Sequence, residues 1–514
     1  MIFRSPLPDV PVPALSLPAY ALEHAARHAD RAALIDAASG RTLTYRDLLG
    51  QVDRVAAGLA ARGVEKGTVV ALCLPNLPEF AVVFYAVTSL GAIVTTVNPL
   101  YTGEEVEKQL RDADAGWLVT LPQLLEPLRD TLAALGLREI FVLGEAAGAT
   151  PWHALLGHDA SRPKVDIDPA RDLAVLPYSS GTTGMPKGVM LTHASLVANA
   201  ESGVHGPNAV SGDDVFACVP PMFHIYGITF YFGLVMRLGG TLVCMPRFDF
   251  AAYVEALARY RATFAVVVPP VALGLAQHPM VAQHDLSALR TIVSAAAPLA
   301  PALATAMEQR LHARVAQGYG MTEIAGASHV QRAGDPPESV GAALPNVTWK
   351  VIDIDSGAAL PAGQHGEICV RGPSLMSGYW KQPAATQATL DADGWLHTGD
   401  IGYADDEGRC FIVDRLKELI KFKGYQVAPA ELEAILLSHP AVADAGVIPI
   451  PDAEAGEVPK AFVVKRGEVD AETLKAYVAG HVAPYKKIRE IEFVDALPKS
   501  PAGKLLRRVL KEKS

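Results

Sequence analysis

Cysteine, positive charge and long apolar runs are all scarce in this chain, and each scarcity argues against a class of protein. The five cysteines are scattered without a close pair, which argues against a zinc site and against a disulfide framework. Each cysteine lies in or beside an apolar segment, so we expect buried, reduced thiols. They are Cys73, Cys218, Cys244, Cys369 and Cys410. The net charge of −10 disfavours nucleic acid as a partner.

No apolar run has the length of a membrane span. The longest run, residues 262–276, is interrupted by Pro269 and Pro270, and we expect it to form a buried strand followed by a turn. Near the N-terminus, Pro6 and Pro8 precede any long apolar segment, so neither a signal peptide nor a membrane span is predicted there. These observations predict a cytoplasmic protein without membrane spans.

The order of apolar segments predicts the fold class. A chain of 514 residues is too long for one hydrophobic core, so at least two domains are expected. A helix capped by Thr44 precedes predicted strands over residues 69–74 and 92–97, with a helix over 79–90 between them. Further predicted elements are a helix after a capping box of Thr102 and Glu105, strands over 262–268 and 291–294, and a helix from Pro301. This alternation predicts an α/β fold around a largely parallel sheet.

The pattern changes towards the C-terminus. From about residue 340, short strands are expected over 349–354, 366–371 and 409–413, with Gly- and Asp-rich turns and no helix between them. Beyond Arg415, the predicted elements are helices over 429–437, 471–478 and 505–511 and strands over 443–448, 460–465 and 490–494. We therefore predict a large N-terminal domain (1–414, with a β-rich part from about 340), a hinge (415–417) and a mobile α+β C-terminal domain (418–514).

Hydroxyl side chains, glycines and a lysine are concentrated in residues 178–188. Glycine lets backbone N–H groups turn towards an anion, hydroxyls add donors, and Lys187 supplies a positive charge. Lys187 runs into a strand-like segment and a helix start appears only at Thr192, so the pattern is not Walker A. We predict a flexible loop between two strands that holds the polyphosphate of ATP; a surface linker is the alternative. Its candidate ligands are Ser179, Ser180, Gly181, Thr182, Thr183, Gly184 and Lys187.

Four further loops contain residue types that bind nucleotides. Residues 317–323 combine a hydroxyl, an aromatic ring and a carboxylate on a glycine-rich turn, and residues 395–400 end in Asp400. Residues 414–417 lie where the predicted domains join, and residues 498–504 end in Lys504 on a tight turn. Taken singly, each also fits a core aromatic, a turn former or a solvated charge.

In order and in residue content, these five loops resemble the adenylate-forming superfamily of acyl-CoA synthetases, most closely its 4-coumarate:CoA ligase and firefly-luciferase-like branch. The resemblance extends from Thr44 to Lys504 and implies an AMP-forming acid–thiol ligase of that superfamily's fold. It implies ATP, Mg²⁺ and coenzyme A beside a small carboxylic acid, in a monomer or homodimer. In such enzymes a carboxylate attacks the α-phosphate of ATP, and the CoA thiol then displaces AMP. Because both reactants of the first step are anionic, charge neutralisation and alignment dominate catalysis.

The resemblance also implies individual roles in the ATP site. The loop of residues 179–187 would hold the β- and γ-phosphates, Thr322 the α-phosphate and Glu323 the magnesium. Tyr319 would stack on adenine, while Asp400 would accept hydrogen bonds from both ribose hydroxyls. The remaining matching positions around the nucleotide are Gln317, Gly318, Ala296 and Arg415. Lys504 would bridge the substrate carboxylate and the ribose-phosphate region during adenylation.

For thioester formation, the resemblance implies a rotation about Lys417 that removes Lys504 and brings in residues 421–426. Gly424 would let the pantetheine arm pass close to the backbone, and His224 would line the meeting point of carboxylate and thiol. Lys421 and Gln426 match residues around the AMP phosphate. Lys423 lies in the CoA-facing loop, and Arg247 takes the place of a lysine for the CoA nucleotide phosphates.

The acyl pocket differs from that of plant coumarate ligases at two positions. By analogy it would be lined by Tyr226, Phe230, Ala296, Gly318, Gly326 and Ala327. Phe230 stands where a small hydroxyl residue can face the para-hydroxyl of the substrate, and Gly326 replaces a proline. An apolar ring there predicts that cinnamate, or a similar unhydroxylated aryl or medium-chain acid, is preferred over 4-coumarate.

Other functions remain open from the sequence. A medium- or long-chain fatty acyl-CoA synthetase shares every ATP motif and differs in the pocket. A carrier-protein-loading adenylation module and an inactive ATP-binding scaffold are further alternatives. Lys423, Gly424 and Arg247 favour free CoA, and the C-terminal residues lack the peroxisomal Ser-Lys-Leu expected of a luciferase-like oxidase.

Overall fold

The structure, a computed structural model, describes residues 1–157, 161–179, 186–416, 418–423, 425–452, 455–499 and 505–512. Within these ranges the α-helices are Leu17–Ala21, Tyr45–Ala60, Pro78–Ser89, Gly103–Asp112, Pro122–Leu125, Arg129–Ala133, His153–Leu156, His193–Val204, Ile225–Gly227, Met236–Leu238, Phe250–Arg259, Pro269–Gln277, Pro301–Leu311, Pro383–Thr389, Pro429–Ser438, Ala471–Ala479 and Arg507–Lys511. A π-helix spans Ile228–Val235, and 3₁₀ turns span Ala25–His28, Glu126–Leu128, Pro279–Gln283, Thr322–Ile324 and Pro484–Lys486.

One half of the largest sheet is parallel, as the alternating pattern predicted. Its parallel strands, in spatial order, are Arg314–Met321, Thr291–Ser294, Phe264–Val267, Val215–Cys218, Thr241–Cys244 and Ala32–Asp36, and Thr42–Thr44 follows antiparallel at the edge. Every residue of Phe264–Val267 and of Thr291–Ser294 is buried, because helices cover both faces of a parallel sheet. The α/β fold class is confirmed.

The β-rich part of the chain continues this sheet and does not form a separate one. Arg314–Met321 runs parallel to Thr291–Ser294 on one side and antiparallel to Gly326–Val330 on the other, so it joins the two halves. Beyond Gly326–Val330 the antiparallel order is Gly341–Ala343, Arg409–Arg415, Leu396–Ala404, Gly366–Arg371, Thr348–Ile352 and Phe3–Arg4. The result is a 14-stranded sheet among the described residues. The loop of residues 317–323 lies at the junction of its two halves.

A second sheet carries the flanks of the predicted phosphate loop. Its strands, in order, are Tyr178–Ser179, Lys187–Thr192, Leu173–Val175, Ile93–Thr96, Val69–Leu72, Ala115–Thr120, Glu139–Val142 and Thr150–Pro151, with Gly378–Tyr379 also paired to Lys187–Thr192. Ser179 pairs with Lys187 across an antiparallel register, so the loop does connect two strands. The helix after it begins at Thr192, whose side chain accepts the N–H of Ser195, as predicted.

The predicted helix starts are confirmed at two further positions. Thr44 forms a capping box with Asp47, and Thr102 forms one with Glu105. In each box the threonine oxygen accepts a backbone N–H and the carboxylate accepts the N–H of the threonine, which satisfies donors that the helix leaves unpaired.

Two expectations from the sequence are wrong. Pro269 and Pro270 begin the helix Pro269–Gln277 and do not form a turn, because proline fits the first helical positions, whose N–H groups have no intrahelical partner. The β-rich part also contains a helix, Pro383–Thr389, where none was expected. None of its residues is buried, so it lacks the apolar periodicity by which helices are predicted.

The C-terminal strands form a third sheet with a hydrophobic core of its own. The order is Tyr425–Val427, Ile420–Phe422, Gly456–Lys465 and Val442–Asp452, with Glu490–Phe493 parallel to Gly456–Lys465. Helices Pro429–Ser438 and Ala471–Ala479 bury Leu432, Leu436, Leu474 and Val478 against it.

Two further predictions concern the cysteines and membrane-spanning helices. All five cysteines are buried and free, as expected. Among the described residues, no helix combines the length and the apolarity that crossing a membrane requires.

Candidate active site

Three of the predicted nucleotide-binding side chains meet directly. Asp400 accepts a hydrogen bond from the Tyr319 hydroxyl at 2.7 Å through Oδ2, and its Oδ1 lies 2.9 Å from Nε of Arg415. Asp400 and Arg415 face each other across two antiparallel strands, which fixes their separation. Asp400 is only 3% exposed, yet each carboxylate oxygen keeps a second lone pair. The carboxylate can therefore still accept hydrogen bonds from a ribose.

Tyr319 is held as a neutral donor beside this carboxylate. Burial, together with the negative charge of Asp400, raises the pKa of Tyr319 well above its ordinary range. The His329 ring lies with its centroid 5.9 Å from that of Tyr319, and burial lowers the pKa of His329 to about 3. Both rings are therefore uncharged at neutral pH, which suits stacking with a neutral base.

A second group joins the phosphate loop to the predicted magnesium ligand. Nζ of Lys187 lies 4.9 Å from the centroid of the Tyr379 ring, and the Tyr379 hydroxyl donates to Oε1 of Glu323 at 2.9 Å. The pairing of Gly378–Tyr379 with Lys187–Thr192 brings these residues together. The sequence reasoning did not predict Tyr379. Its one indication was an aromatic pair, Tyr379 and Trp380, after a glycine, which does not by itself identify a binding residue.

The donor chemistry of this group fits Mg²⁺ and phosphate. Glu323 is 5% exposed and uses one carboxylate oxygen for Tyr379, which leaves Oε2 for a cation that prefers oxygen ligands. The hydroxyl of Ser179 is buried and makes no hydrogen bond to any residue in the described part of the chain. A buried hydroxyl needs a partner, and a phosphate oxygen can supply one. Lys187 adds a positive charge on the neighbouring strand.

Close backbone contacts shape the hairpin that carries Thr322 and Glu323. A Cβ on Gly320 would lie 1.9 Å from the carbonyl oxygen of Gly326, so only glycine fits there. Thr322 is half-buried and begins the 3₁₀ turn between the two strands of the hairpin. Asn199 was not predicted, and it fixes the turn from the helix side by donating to the carbonyls of residues 324 and 327 at 3.1 and 2.8 Å.

Gln317 lies in this region but uses its amide on the protein itself. Its Oε1 accepts the N–H of Leu299 at 2.8 Å, and its Nε2 donates to the carbonyl of Pro337 at 2.6 Å. A supporting role therefore fits Gln317 better than direct contact with a nucleotide. Gly318 lies beside it with space for a Cβ, the nearest atom being 3.8 Å away.

The predicted meeting point of carboxylate and thiol lines a small cavity. His224, Tyr226 and Ala296 contribute to a space of about 30 Å³, whose other lining residues are Val219, Pro220, Pro221 and Val268. Nδ1 of His224 accepts the N–H of Tyr226 at 3.3 Å, which orients the imidazole at the start of a short helix. Ala296 has a φ of +73°, a left-handed conformation that turns the chain after Thr291–Ser294 into this cavity.

Phe230 belongs to an aromatic cluster beside the cavity. Its ring centroid lies 5.9 Å from Tyr226, 5.6 Å from Phe216 and 5.8 Å from Phe264. Gly326 has a φ of +141°, and a Cβ there would lie 2.5 Å from Oδ1 of Asn199. The side chains that pack against the Phe230 ring are therefore mainly aromatic. Ala327, predicted to line the pocket, is half-buried in the hairpin strand after Gly326.

The predicted CoA-facing residues are on the C-terminal sheet and on one loop of the large sheet. Lys421 and Gln426 are cross-strand neighbours, and Lys421 is exposed. Lys423 has a φ of +48° and lines a cleft of about 330 Å³ together with Phe422, Asp452, Ala455, Val458, Arg489 and Glu490. Arg247 is exposed on the loop after Thr241–Cys244. Within the described ranges, no hydrogen bond or ion pair joins Lys421 or Lys423 to Asp400 or Glu323.

Several predicted site residues lie outside the described residues. They are Ser180, Gly181, Thr182, Thr183, Gly184, Lys417, Gly424 and Lys504, together with the side chain of Gln426. Their roles stay predictions.

Two family models match the chain. The model described as AMP-binding enzyme matches residues 22–380, and that of the AMP-binding enzyme C-terminal domain matches residues 431–504. Among similar proteins, 4-coumarate–CoA ligase 5 of Oryza sativa subsp. japonica is 45% identical over 530 aligned positions, covering 100% of this chain and 97% of that protein. The 4-coumarate–CoA ligase of Pinus taeda is 44% identical, with coverage of 100% and 97%.

Several solved structures superpose closely on this chain. The anthranilate CoA ligase AuaEII in complex with anthranoyl-AMP superposes with a TM-score of 0.90 at 26% identity, covering 98% of each chain. ATP-bound MatB from Rhodopseudomonas palustris gives a TM-score of 0.87 at 30% identity, covering 97% of this chain and 99% of MatB. A benzoate CoA ligase from Burkholderia xenovorans LB400 gives 0.88 at 26% identity, with coverage of 96% and 99%.

Proposed function

This chain belongs to the family of AMP-binding enzymes, and from that membership we propose that it is an ATP-dependent, AMP-forming carboxylic acid:CoA ligase that acts on aryl acids. Its relatives of 42–45% identity over the full chain are named 4-coumarate–CoA ligases, and a structural neighbour holds an aryl-adenylate. A fatty acyl-CoA synthetase and a carrier-protein-loading module are not favoured by these relatives. The cytoplasmic location and the monomeric or homodimeric state stay predictions.

The observation that supports the proposal best is that the polar side chains of the site form two distinct groups. Tyr319, Asp400 and Arg415 form a ribose- and base-binding group, while Lys187 and Glu323 meet through Tyr379 in a phosphate- and metal-binding group. A nucleoside triphosphate needs neutral stacking and hydroxyl acceptors at one end. At its other end it needs positive charge and a carboxylate for its metal.

In the first step, an oxygen of the substrate carboxylate attacks the α-phosphorus of ATP. The bond from that phosphorus to the bridging oxygen breaks and pyrophosphate leaves. Bound Mg²⁺ would neutralise part of the negative charge of the phosphates, and Glu323 is the residue that would hold the ion. Asp400 orients the ribose, and Thr322 and Lys187 contact the phosphates. Lys504 neutralises the charge between the two anionic reactants.

In the second step, the thiolate of CoA attacks the acyl carbon, the bond to the phosphate oxygen breaks and AMP leaves. We propose that residues 418–514 rotate about residues 415–417 between the steps, so that Lys421 and Gln426 replace Lys504 near the phosphate. Lys423 and Gly424 line the path of the pantetheine, and Arg247 pairs with the nucleotide phosphates. His224 orients the reactants where thiol and acyl group meet.

Phe230 sets the substrate preference that we propose. Its own ring and those of Phe216 and Phe264 carry no polar atom, so we propose that the para-hydroxyl of 4-coumarate would be buried against them without a partner. An unpaired buried hydroxyl costs roughly 1–3 kcal/mol, or about 5- to 150-fold in kcat/KM. Cinnamate is therefore the preferred acid of the pair.

Pyrophosphate exchange separates the candidate functions. Without CoA, the enzyme should exchange pyrophosphate into ATP with cinnamate, more slowly with 4-coumarate and least with octanoate. Adding CoA should then release AMP and form the thioester. Phe230→Ser should narrow or reverse the preference for cinnamate over 4-coumarate.

Each other outcome of these assays would indicate a different function or substrate preference. Fastest exchange with octanoate would indicate a fatty acyl-CoA synthetase. Exchange without CoA-dependent AMP release would indicate a carrier-protein-loading module. ATP binding without exchange for any acid would indicate a scaffold. A clear preference for 4-coumarate would leave the ligase function standing and refute the role given to Phe230.

A further inference from the structure

A partly buried cluster of three ionisable side chains includes His397, which lies on the strand Leu396–Ala404 that also carries Asp400. Nδ1 of His397 is 3.0 Å from Oε2 of Glu367 and 3.7 Å from Sγ of Cys369. Cys369 and His397 are direct neighbours across the antiparallel pair Gly366–Arg371 and Leu396–Ala404. None of these three residues takes part in the proposed reaction.

The second oxygen of Glu367 extends the cluster to the nucleotide site. Oε1 accepts the backbone N–H of Gly399 at 3.0 Å. Gly399 has a φ of +68°, and its carbonyl accepts the N–H of Leu416 at 2.8 Å. Gly399, the residue before Asp400, is thus held at its N–H by Glu367 and at its carbonyl by Leu416, in the segment that enters the proposed hinge.

We propose that Glu367 is a positioning residue for Asp400, and that His397 fixes Glu367 in the orientation that holds the Gly399 peptide. The proposal rests on the role of Asp400 in ribose binding given above. Asp400 is itself clamped by Tyr319 and Arg415, so a small rotation of its backbone would lengthen both contacts. Hydrogen bonds from a ribose to the same carboxylate depend on that geometry, since they weaken steeply with misalignment.

The charges around His397 favour an ion pair with Glu367 over a metal centre. The ligand atoms of Glu367, Cys369 and His397 lie within 4.8 Å of one another, and zinc accepts all three ligand types. The Cys369 sulfur and the Glu367 carboxylate raise the pKa of His397 to about 10, so the imidazole is protonated at neutral pH. A metal ligand must be deprotonated. Oδ2 of Asp391, 3.7 Å from Nε2 of His397, adds a second negative charge that stabilises the protonated ring.

The test compares ATP with 2′-deoxyATP as substrates of acid-dependent pyrophosphate exchange. Their kcat/KM ratio measures ribose recognition and does not depend on how much of a variant is folded. In Glu367→Ala the preference for ATP should fall at least about fivefold, because Asp400 is no longer held against the ribose. Glu367→Gln keeps an acceptor for Gly399 and should retain most of the preference, although the KM for ATP should rise. Glu338→Ala, at an exposed glutamate in the loop between strands Gly326–Val330 and Gly341–Ala343, is the matched control and should leave the ratio unchanged.

Coupling between Glu367 and Asp400 gives a second measurement. If Glu367 acts through Asp400, Glu367→Ala should have little further effect on the ratio in an Asp400→Ala background. An unchanged ratio in Glu367→Ala, or fully additive effects in the double variant, would overturn the proposal. So would one equivalent of zinc that is retained by the purified wild type and lost in Cys369→Ala. Absence of exchange in the wild type would instead refute the proposed function.

Discussion

Asp414 accepts the backbone N–H of Ala430 at 2.9 Å, so a carboxylate on the last strand of the large sheet caps the first turn of helix Pro429–Ser438. The residue at the N-cap itself is Ala428, which offers no side-chain acceptor. The other oxygen of Asp414 accepts the N–H of Arg415 at 2.7 Å. One buried side chain thus joins the segment before the proposed hinge to the first helix after it.

The Asp414 contact should make stability depend on pH between about 4 and 6. Burial raises the pKa of Asp414 from 3.8 to about 6, although the N–H of Ala430 and the charge of Arg507 oppose the increase. The folded protein therefore binds this proton more tightly than the unfolded chain does. The stabilisation from this group is complete below about pH 4 and is lost as the pH rises through 6.

Urea unfolding of the wild type and of Asp414→Asn from pH 4 to 7 measures this effect. The stability of the wild type relative to the variant should decrease across that range, because asparagine does not titrate. Asp414→Ala should also lose the cap, at a cost of about 1 kcal/mol at every pH. A difference between wild type and Asp414→Asn that is constant with pH would contradict the prediction.

Tyr379 should control the affinity for magnesium. In Tyr379→Phe the ring stays over Lys187, but the hydrogen bond to Glu323 is lost and the carboxylate is free to rotate. Loss of a hydrogen bond to a charged group corresponds to roughly tenfold, so the Mg²⁺ concentration for half-maximal exchange should rise by about that factor. The KM for the acid should not change. Equal changes in both constants would indicate a general disturbance of the site.

The site residues proposed from the sequence all come from local motifs, and no sequence pattern predicted Tyr379, which reaches Glu323 by strand pairing. Tyr319, Asp400 and Arg415 each belong to a motif whose residue types already suggest nucleotide binding. Tyr379 meets Glu323 only because its short strand pairs with the strand of Lys187. Neither periodicity nor composition encodes that pairing, because the paired residues, Met190 with Gly378 and Val189 with Tyr379, are 188 and 190 positions apart in the sequence.

The secondary structure likewise contains elements that leave a local pattern in the sequence and elements that do not. The parallel strands and the capping boxes of Thr44 and Thr102 were predictable because burial and capping leave local patterns. Helix Pro383–Thr389 buries no residue and therefore left no such pattern. Pro269 and Pro270 show that a proline pair marks a helix start as readily as a turn, and only the apolar residues that follow distinguish the two.

Gly320 should be intolerant of any side chain. In Gly320→Ala the new Cβ would lie 1.9 Å from the carbonyl oxygen of Gly326, so the hairpin that carries Thr322 and Glu323 must open. Exchange activity should fall at least about a hundredfold, since displacements of 1 Å at a reacting centre have effects of that size. Gly318→Ala is the control for folding, because its Cβ has 3.8 Å of clearance, and its melting temperature should match the wild type. Similar melting temperatures and activities for both variants would contradict the steric argument.

Arg507, on the helix Arg507–Lys511 that packs against the C-terminal sheet, should be the charged residue whose removal destabilises that sheet most. Its guanidinium donates to both oxygens of Glu433 at 2.7 and 2.8 Å, pairs with Glu418, and donates through Nε to the carbonyl of Val447 at 3.1 Å. Burial raises the pKa of Glu433, while Arg507 lowers it. Removing the guanidinium leaves two carboxylates without their cation in a site where Arg507 is only 13% exposed.

Arg507→Met should therefore destabilise the C-terminal sheet by about 3–5 kcal/mol, the usual effect of removing one partner from a buried ion pair. Hydrogen exchange of strands Val442–Asp452 and Gly456–Lys465 should accelerate, while exchange in the large sheet stays as in the wild type. The double variant Arg507→Met, Glu433→Gln should recover part of the loss, since one of the two uncompensated carboxylates is then gone. Arg466→Met, at an exposed arginine, is the control and should change stability by less than about 0.5 kcal/mol. Equal losses in the single and double variants would show that the packing of Arg507, and not its charge, stabilises this sheet.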